Sequence, residues 1–223
     1  MDVHKLVEQF YAFSEYLVGF VLNVIYLFVL ALPLILIDMM LPQYITKYAI
    51  PFIPLAALYG MALKSATYAF YSIFVLKKSY YGLYFWHSFK ENFFQSYLYY
   101  LIVTSLLYIG VSSSLILIEL ISPFFWVLMT LIVFALLSNL SYMTLQMALY
   151  DNLTMYQMMK NAITLTIIYA IISIAFVLGS VWLIYQFQIY AFRVIAFGIP
   201  VLAGFLILVQ RMIGMNLETK EGN

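Results

Sequence analysis

Cysteine is absent from this chain, charge is sparse and histidine occurs only twice. The missing cysteine excludes disulfides, thiolate chemistry and cysteine metal sites. His4 and His87 lie far apart in sequence and give no paired metal-ligand spacing. Ten basic and nine acidic residues leave a net charge of +1, so there is no electrostatic case for a nucleic-acid partner. There is also no phosphate-binding glycine loop, nucleotide motif or nucleophile–base pair, and no cofactor is expected.

What the chain has in abundance is apolar sequence. Hydrophobic residues make up 66% of it and charged residues 9%, where a soluble domain carries about 25% charged. Residues 16–37, 92–118, 120–150, 161–192 and 194–210 contain no Asp, Glu, Lys or Arg. Crossing the hydrocarbon core takes about 20 mostly apolar residues. The expectation is an all-α, polytopic transmembrane helical bundle of about six spans, possessing three helical hairpins joined by amphipathic cytoplasmic elbows.

The first sixteen residues carry Asp2, Lys5, Glu8 and Glu15, which is not the basic lead of a signal peptide. Val3, Leu6, Val7, Phe10 and Phe13 recur at helical spacing, so residues 1–15 read as an amphipathic helix on the membrane surface. Spans are expected at 17–37, 97–118, 124–149, 162–185 and about 189–210, within one integral domain over residues 1–213 and a flexible tail over 214–223. Residues 49–76 are irregular. One reading is a short span over 49–63 with Lys64 at its exit. The other is a span over 54–76 with Lys64 inside, costing roughly 2.5–3.5 kcal/mol on insertion unless the ammonium snorkels or pairs. The longer, tilted or kinked span is preferred, with Lys64 facing protein or water; a re-entrant helix is the remaining alternative.

With six spans, Lys5, Lys77, Lys78, Lys90, Lys160, Arg211 and Lys220 fall on one side and Lys47 and Arg193 on the other. The positive-inside rule then places both termini in the cytoplasm. Tyr80, Tyr81, Tyr84, Trp86, Tyr97, Tyr99 and Tyr100 cluster at one predicted interface, and Trp126 and Tyr190 at the other, as a membrane belt.

No Asp or Glu falls within a span, which argues against a carboxylate proton relay. The candidate intramembrane polar site consists of Lys64, Asn139 and Gln146. The last two are seven apart and share a helix face, either as hydrogen-bonding glue between helices or as the lining of a polar cavity. Gly110-x-x-x-Ser114 and Ala175-x-x-x-Gly179 have the spacing of close helix contacts. His87 and Glu91 are four apart, an ordinary helical pair or a minimal interfacial acid–base pair.

The stretch Phe89-Lys90-Glu91-Asn92-Phe93-Phe94-Gln95-Ser96, leading into a span, resembles the elbow of the YesL-like family (domain of unknown function 624), small bacterial integral membrane proteins. Pro54-Leu55-Ala56-Ala57-Leu58-Tyr59 is similar to a family run after the first span, and Asp151-Asn152-Leu153-Thr154 through Met159-Lys160-Asn161-Ala162 to a later elbow. The acidic cluster common ahead of the first elbow is replaced by Lys77-Lys78-Ser79. The resemblance implies the bacterial cytoplasmic membrane and an accessory role beside carbohydrate transport, with sugar-transporter subunits as partners, and it supplies no catalytic residues. The expected function is therefore a non-enzymatic membrane protein whose contact surface comprises Lys77, Lys78, Trp86, His87, Phe89, Lys90 and Asn92. A small solute permease or channel using Lys64, Asn139 and Gln146 is the alternative, and a membrane enzyme acting on lipids or lipid-linked sugars through His87 and Glu91 is the third reading. Homo-oligomerisation is left open.

Overall fold

The computed structural model describes residues 3–40, 53–76, 78, 80–150, 153–193 and 201–211. These form eight helices: α1 (Val3–Met40), α2 (Ile53–Phe74), α3 (Tyr81–Lys90), α4 (Phe93–Leu120), α5 (Phe125–Leu149), α6 (Met155–Ile168), α7 (Ala170–Arg193) and α8 (Val201–Arg211). No strand occurs among the described residues.

The arrangement inverts the rule for proteins in water. The outer helices α4 and α5 are the apolar ones, yet only 11% and 22% of their most hydrophobic stretches is buried. Ile102, Leu106, Ile109, Ile116, Leu128 and Leu131 all point outwards. The helix at the centre, α2, carries a charged group inside: Lys64 is buried with Ser65, Thr67 and Ser72 along with its alanines. Hydrocarbon around the bundle accounts for both facts, since lipid offers apolar side chains a good solvent and polar ones none.

Helix α2 packs against α1, α3, α4 and α5. Small residues permit this close approach: Ala57, Ala62, Ala66 and Ala69 are fully buried. At Gly60 a Cβ would lie 2.7 Å from Cγ of the Tyr100 ring, so α2 and α4 meet where only hydrogen fits. One core cluster gathers Met61, Tyr100, Tyr142, Met143 and Leu206; a second gathers Leu27, Phe70, Ile73, Tyr81 and Phe85.

Three helices among the described residues are long and apolar enough to cross a membrane: α1 through its stretch Phe13–Leu30, α4 and α5. A fourth exists if α6 and α7, bent by 100°, count as one broken span. That is fewer than the six expected from hydropathy, for three reasons. The polar groups of α2 lower its apolarity. The fifth apolar stretch bends at Tyr169, where Ser173 Oγ reaches the carbonyls of Tyr169 and Thr166 at 3.1 and 3.4 Å. Of the last stretch, the described residues form the end of α7 and the short helix α8.

The described part of the expected surface helix, residues 3–15, belongs to the same helix as the first span. Helix α1 runs unbroken for 38 residues through Pro33, about 57 Å at 1.5 Å per residue, far more than a hydrocarbon core of about 30 Å. The tail over 214–223 lies outside the described residues.

Candidate functional site

Lys64 sits in the middle of α2, and its side chain is 1% exposed. Its Nζ donates to the backbone carbonyl of Glu91 at 2.9 Å and to Ser96 Oγ at 3.1 Å. Glu91 is the residue at which α3 ends, and Asn92, with φ of 49°, turns the chain into α4. Asparagine tolerates that left-handed conformation better than most residues. The ammonium therefore meets the C-terminal end of α3, where unpaired carbonyls and the helix dipole favour a cation. Charge-assisted bonds of this kind are worth about 1.5–3 kcal/mol each, which offsets part of the cost of burying the charge. The lysine holds the elbow onto the central helix.

The elbow helix α3 is amphipathic. Tyr81, Phe85, Ser88 and Phe89 face inwards, while Leu83, Trp86, His87 and Lys90 face outwards. Its inner face is lined by aromatics: Tyr26, Tyr81, Phe85, Phe89 and Phe93 form a chain of ring contacts with centroids 5.1 to 6.5 Å apart, and the outward Trp86 meets its edge, 5.5 Å from Tyr26, Phe85 and Phe89. The Tyr81 hydroxyl donates to Asn23 Oδ1 of α1. Burial pushes the Tyr81 phenol well above its usual pKa, and the neighbouring Tyr26 adds to the shift. Gly82 lets α3 approach α1, for a Cβ there would lie 2.6 Å from the Tyr26 hydroxyl.

Of the residues expected to make a contact surface, Lys78, Trp86, His87, Lys90 and Asn92 are exposed. Lys78 lies over the Tyr84 ring, 5.6 Å from its centroid. Phe89 is a correction: it is 9% exposed and belongs to the core, because it falls on the same side of α3 as Phe85. Lys77 lies outside the described residues. Among the described residues no hydrogen bond or ion pair joins the side chains of His87 and Glu91, and no three of His, Asp and Glu gather as a metal site.

The three candidate polar residues hold separate positions. Lys64 secures the elbow. Asn139 Oδ1 accepts from the Tyr99 hydroxyl at 2.8 Å, tying α5 to α4, as the Tyr100–Thr144 bond of 2.9 Å does one turn further on. Gln146 is 3% exposed, and neither its amide nitrogen nor its amide oxygen has a hydrogen-bond partner among the described residues. Leaving such a group buried costs about 1–3 kcal/mol. Gln146 lines a cleft of about 360 Å³ between α5, α6 and α8, together with Tyr150, Asn161, Thr164, Gln210 and three leucines. There Gln210 Nε2 donates to the Tyr150 hydroxyl at 2.6 Å.

Ser96 and Thr154 stand in the YesL-like stretches and Gln210 at the end of the last apolar stretch, but the sequence assigns none of them a role. Ser96 pairs with a lysine 32 positions away, and Gln210 with a tyrosine 60 away, separations that no local pattern encodes. Thr154 had a local signal: Thr154-x-x-Gln157 forms a capping box, with Thr154 N donating to Gln157 Oε1 at 2.9 Å and Gln157 N to Thr154 Oγ1 at 3.4 Å.

No family model matches this chain, and no curated protein or solved structure shows significant similarity to it.

Proposed function

We propose that the chain is a non-enzymatic integral membrane protein that works as an accessory subunit, using the outer side of α3 to dock onto an integral membrane transport protein. The observation that carries this reading is the anchoring of α3. Its inner face is fixed by Lys64, Tyr81 and the aromatic stack, while Leu83, Trp86, His87 and Lys90 stand exposed side by side. A rigid support under a basic, aromatic face suits recognition, since ordering costs little on binding and Trp is a frequent anchor. The basic groups Lys78 and Lys90 favour a partner with an acidic juxtamembrane surface. The YesL-like elbows at Phe89–Ser96 and Met159–Ala162 extend the proposal to a carbohydrate transporter in a bacterial cytoplasmic membrane.

The topology that goes with it has six crossings and cytoplasmic termini. Helix α2 is long enough at 22 residues, and its neighbours, rather than lipid, surround its polar groups. The cysteine-free sequence makes this directly testable. Single cysteines placed at each terminus should both react with a membrane-impermeant maleimide only after the cytoplasmic side is opened; labelling of one terminus from outside rejects the scheme.

The docking reading is tested by affinity purification from native membranes followed by mass spectrometry. Wild type should recover transport subunits, and Leu83→Ser combined with Lys90→Glu, both at exposed positions, should lose them without a fall in thermal stability. Recovery of the protein alone, or companions unchanged in the double variant, overturns the proposal and leaves α3 as a headgroup anchor.

A further inference from the structure

We infer that the cleft between α5, α6 and α8 binds a small uncharged molecule bearing neighbouring hydroxyl groups, either free or as the headgroup of a lipid. The inference is independent of the docking surface, which belongs to a different helix. Gln146 is the key observation. It is buried, it lines the cleft, and both polar atoms of its carboxamide lack hydrogen-bond partners among the described residues. A carboxamide offers donors and an acceptor side by side, and so do the groups around it. Gln210 donates to the Tyr150 hydroxyl, which leaves the Tyr150 proton and the Gln210 carbonyl oxygen for a ligand. Asn161 stands exposed at the mouth with a further amide. The Thr164 hydroxyl already donates to the Lys160 carbonyl at 3.0 Å, so it is left as an acceptor.

The chemistry of the lining selects the ligand class. None of the described residues that line the cleft carries a formal charge, so among them neither an anion nor a cation finds a counter-charge. Carboxamides and hydroxyls that each donate and accept match vicinal hydroxyls, which do the same. The leucine walls suit the C–H surface between those hydroxyls. The volume lies at the small end of the range for ligand pockets, enough for a cyclic polyol or a glycerol-sized headgroup and not for a folded peptide.

Two probes separate the sources. The full-length protein in lipid nanodiscs is examined by saturation-transfer NMR with myo-inositol, and by thermal unfolding with and without monoacylglycerol in the bilayer. A signal with myo-inositol assigns a free ligand; a raised unfolding midpoint with monoacylglycerol alone assigns a headgroup. In either case Gln146→Leu should weaken binding by about tenfold or more. Asn161→Ala, at an exposed position that folding tolerates, should weaken it too and serves where Gln146→Leu fails to fold. Wild-type protein that responds to neither probe, or a response undiminished in the variants, overturns the inference.

Discussion

The Nζ of Lys64 donates to the carbonyl oxygen of Glu91 across 2.9 Å, joining the core of α2 to the point where α3 gives way to α4. A single buried cation thereby positions two helices at once. Replacing it with Met keeps much of the stem's volume but leaves the Glu91 carbonyl and the Ser96 hydroxyl short of a donor. The expected loss is about 2–4 kcal/mol of stability, read as a lower midpoint in detergent unfolding, with Ser96→Ala costing about 1 kcal/mol. Equal stability of Lys64→Met and wild type would show that the elbow is held by packing alone.

Gly60 and Tyr100 make a second contact with a defined outcome. Gly60→Ala forces a methyl group into the Tyr100 ring and should destabilise by about 1–3 kcal/mol. Shrinking the ring, as in Tyr100→Leu, should make the same alanine substitution less costly. A double-mutant cycle measured by thermal unfolding gives the coupling; strict additivity would contradict the contact.

Alkaline conditions should weaken the α1–α3 junction. The Tyr81 phenol has its folded pKa raised by burial, so the folded state holds the proton more tightly than the unfolded state. The stability this gives is intact below the unperturbed value of about 10 and declines as pH rises beyond it. Tyr81→Phe lacks that titration. It should be less stable at neutral pH, where Asn23 loses its donor, and its stability should fall less steeply above about pH 10. Unfolding measured across alkaline pH distinguishes the two slopes.

Thr154→Ala removes the capping box of α6 and should cost about 0.5–2 kcal/mol. The effect should appear first as faster amide exchange in the first turn of α6, with α4 and α5 unchanged. Uniform loss of protection would mean that the cap is coupled to the whole bundle.

Hydropathy made the outer helices legible. The spans expected over 97–118 and 124–149 correspond to α4 (Phe93–Leu120) and α5 (Phe125–Leu149), because helices in contact with lipid are apolar on nearly every side. It said less where protein replaces lipid, although the preferred longer reading over 54–76 corresponds to α2 (Ile53–Phe74) with Lys64 facing protein. In α2 an average over residues cannot say whether Lys64 meets water, lipid or a carbonyl 27 positions away. It failed at Tyr169, where the chain bends by 100° with no proline or glycine beside it. The Lys77–Asn92 surface was legible as an elbow, but the inward turn of Phe89 needed the helix phase that only α3's packing supplies. Asn139 and Gln146 share a face in sequence, yet one pairs with Tyr99 while the other is left facing a cleft.

The polar interior of α2 bears on how the protein is made. As it leaves the ribosome this segment is a poor entrant into lipid by itself, since the groups that satisfy Lys64 lie on chain synthesised later. Stable integration of α2 is therefore expected to wait until Glu91 and Ser96 have emerged, with α2 held at the insertion machinery until α3 and the start of α4 can receive it.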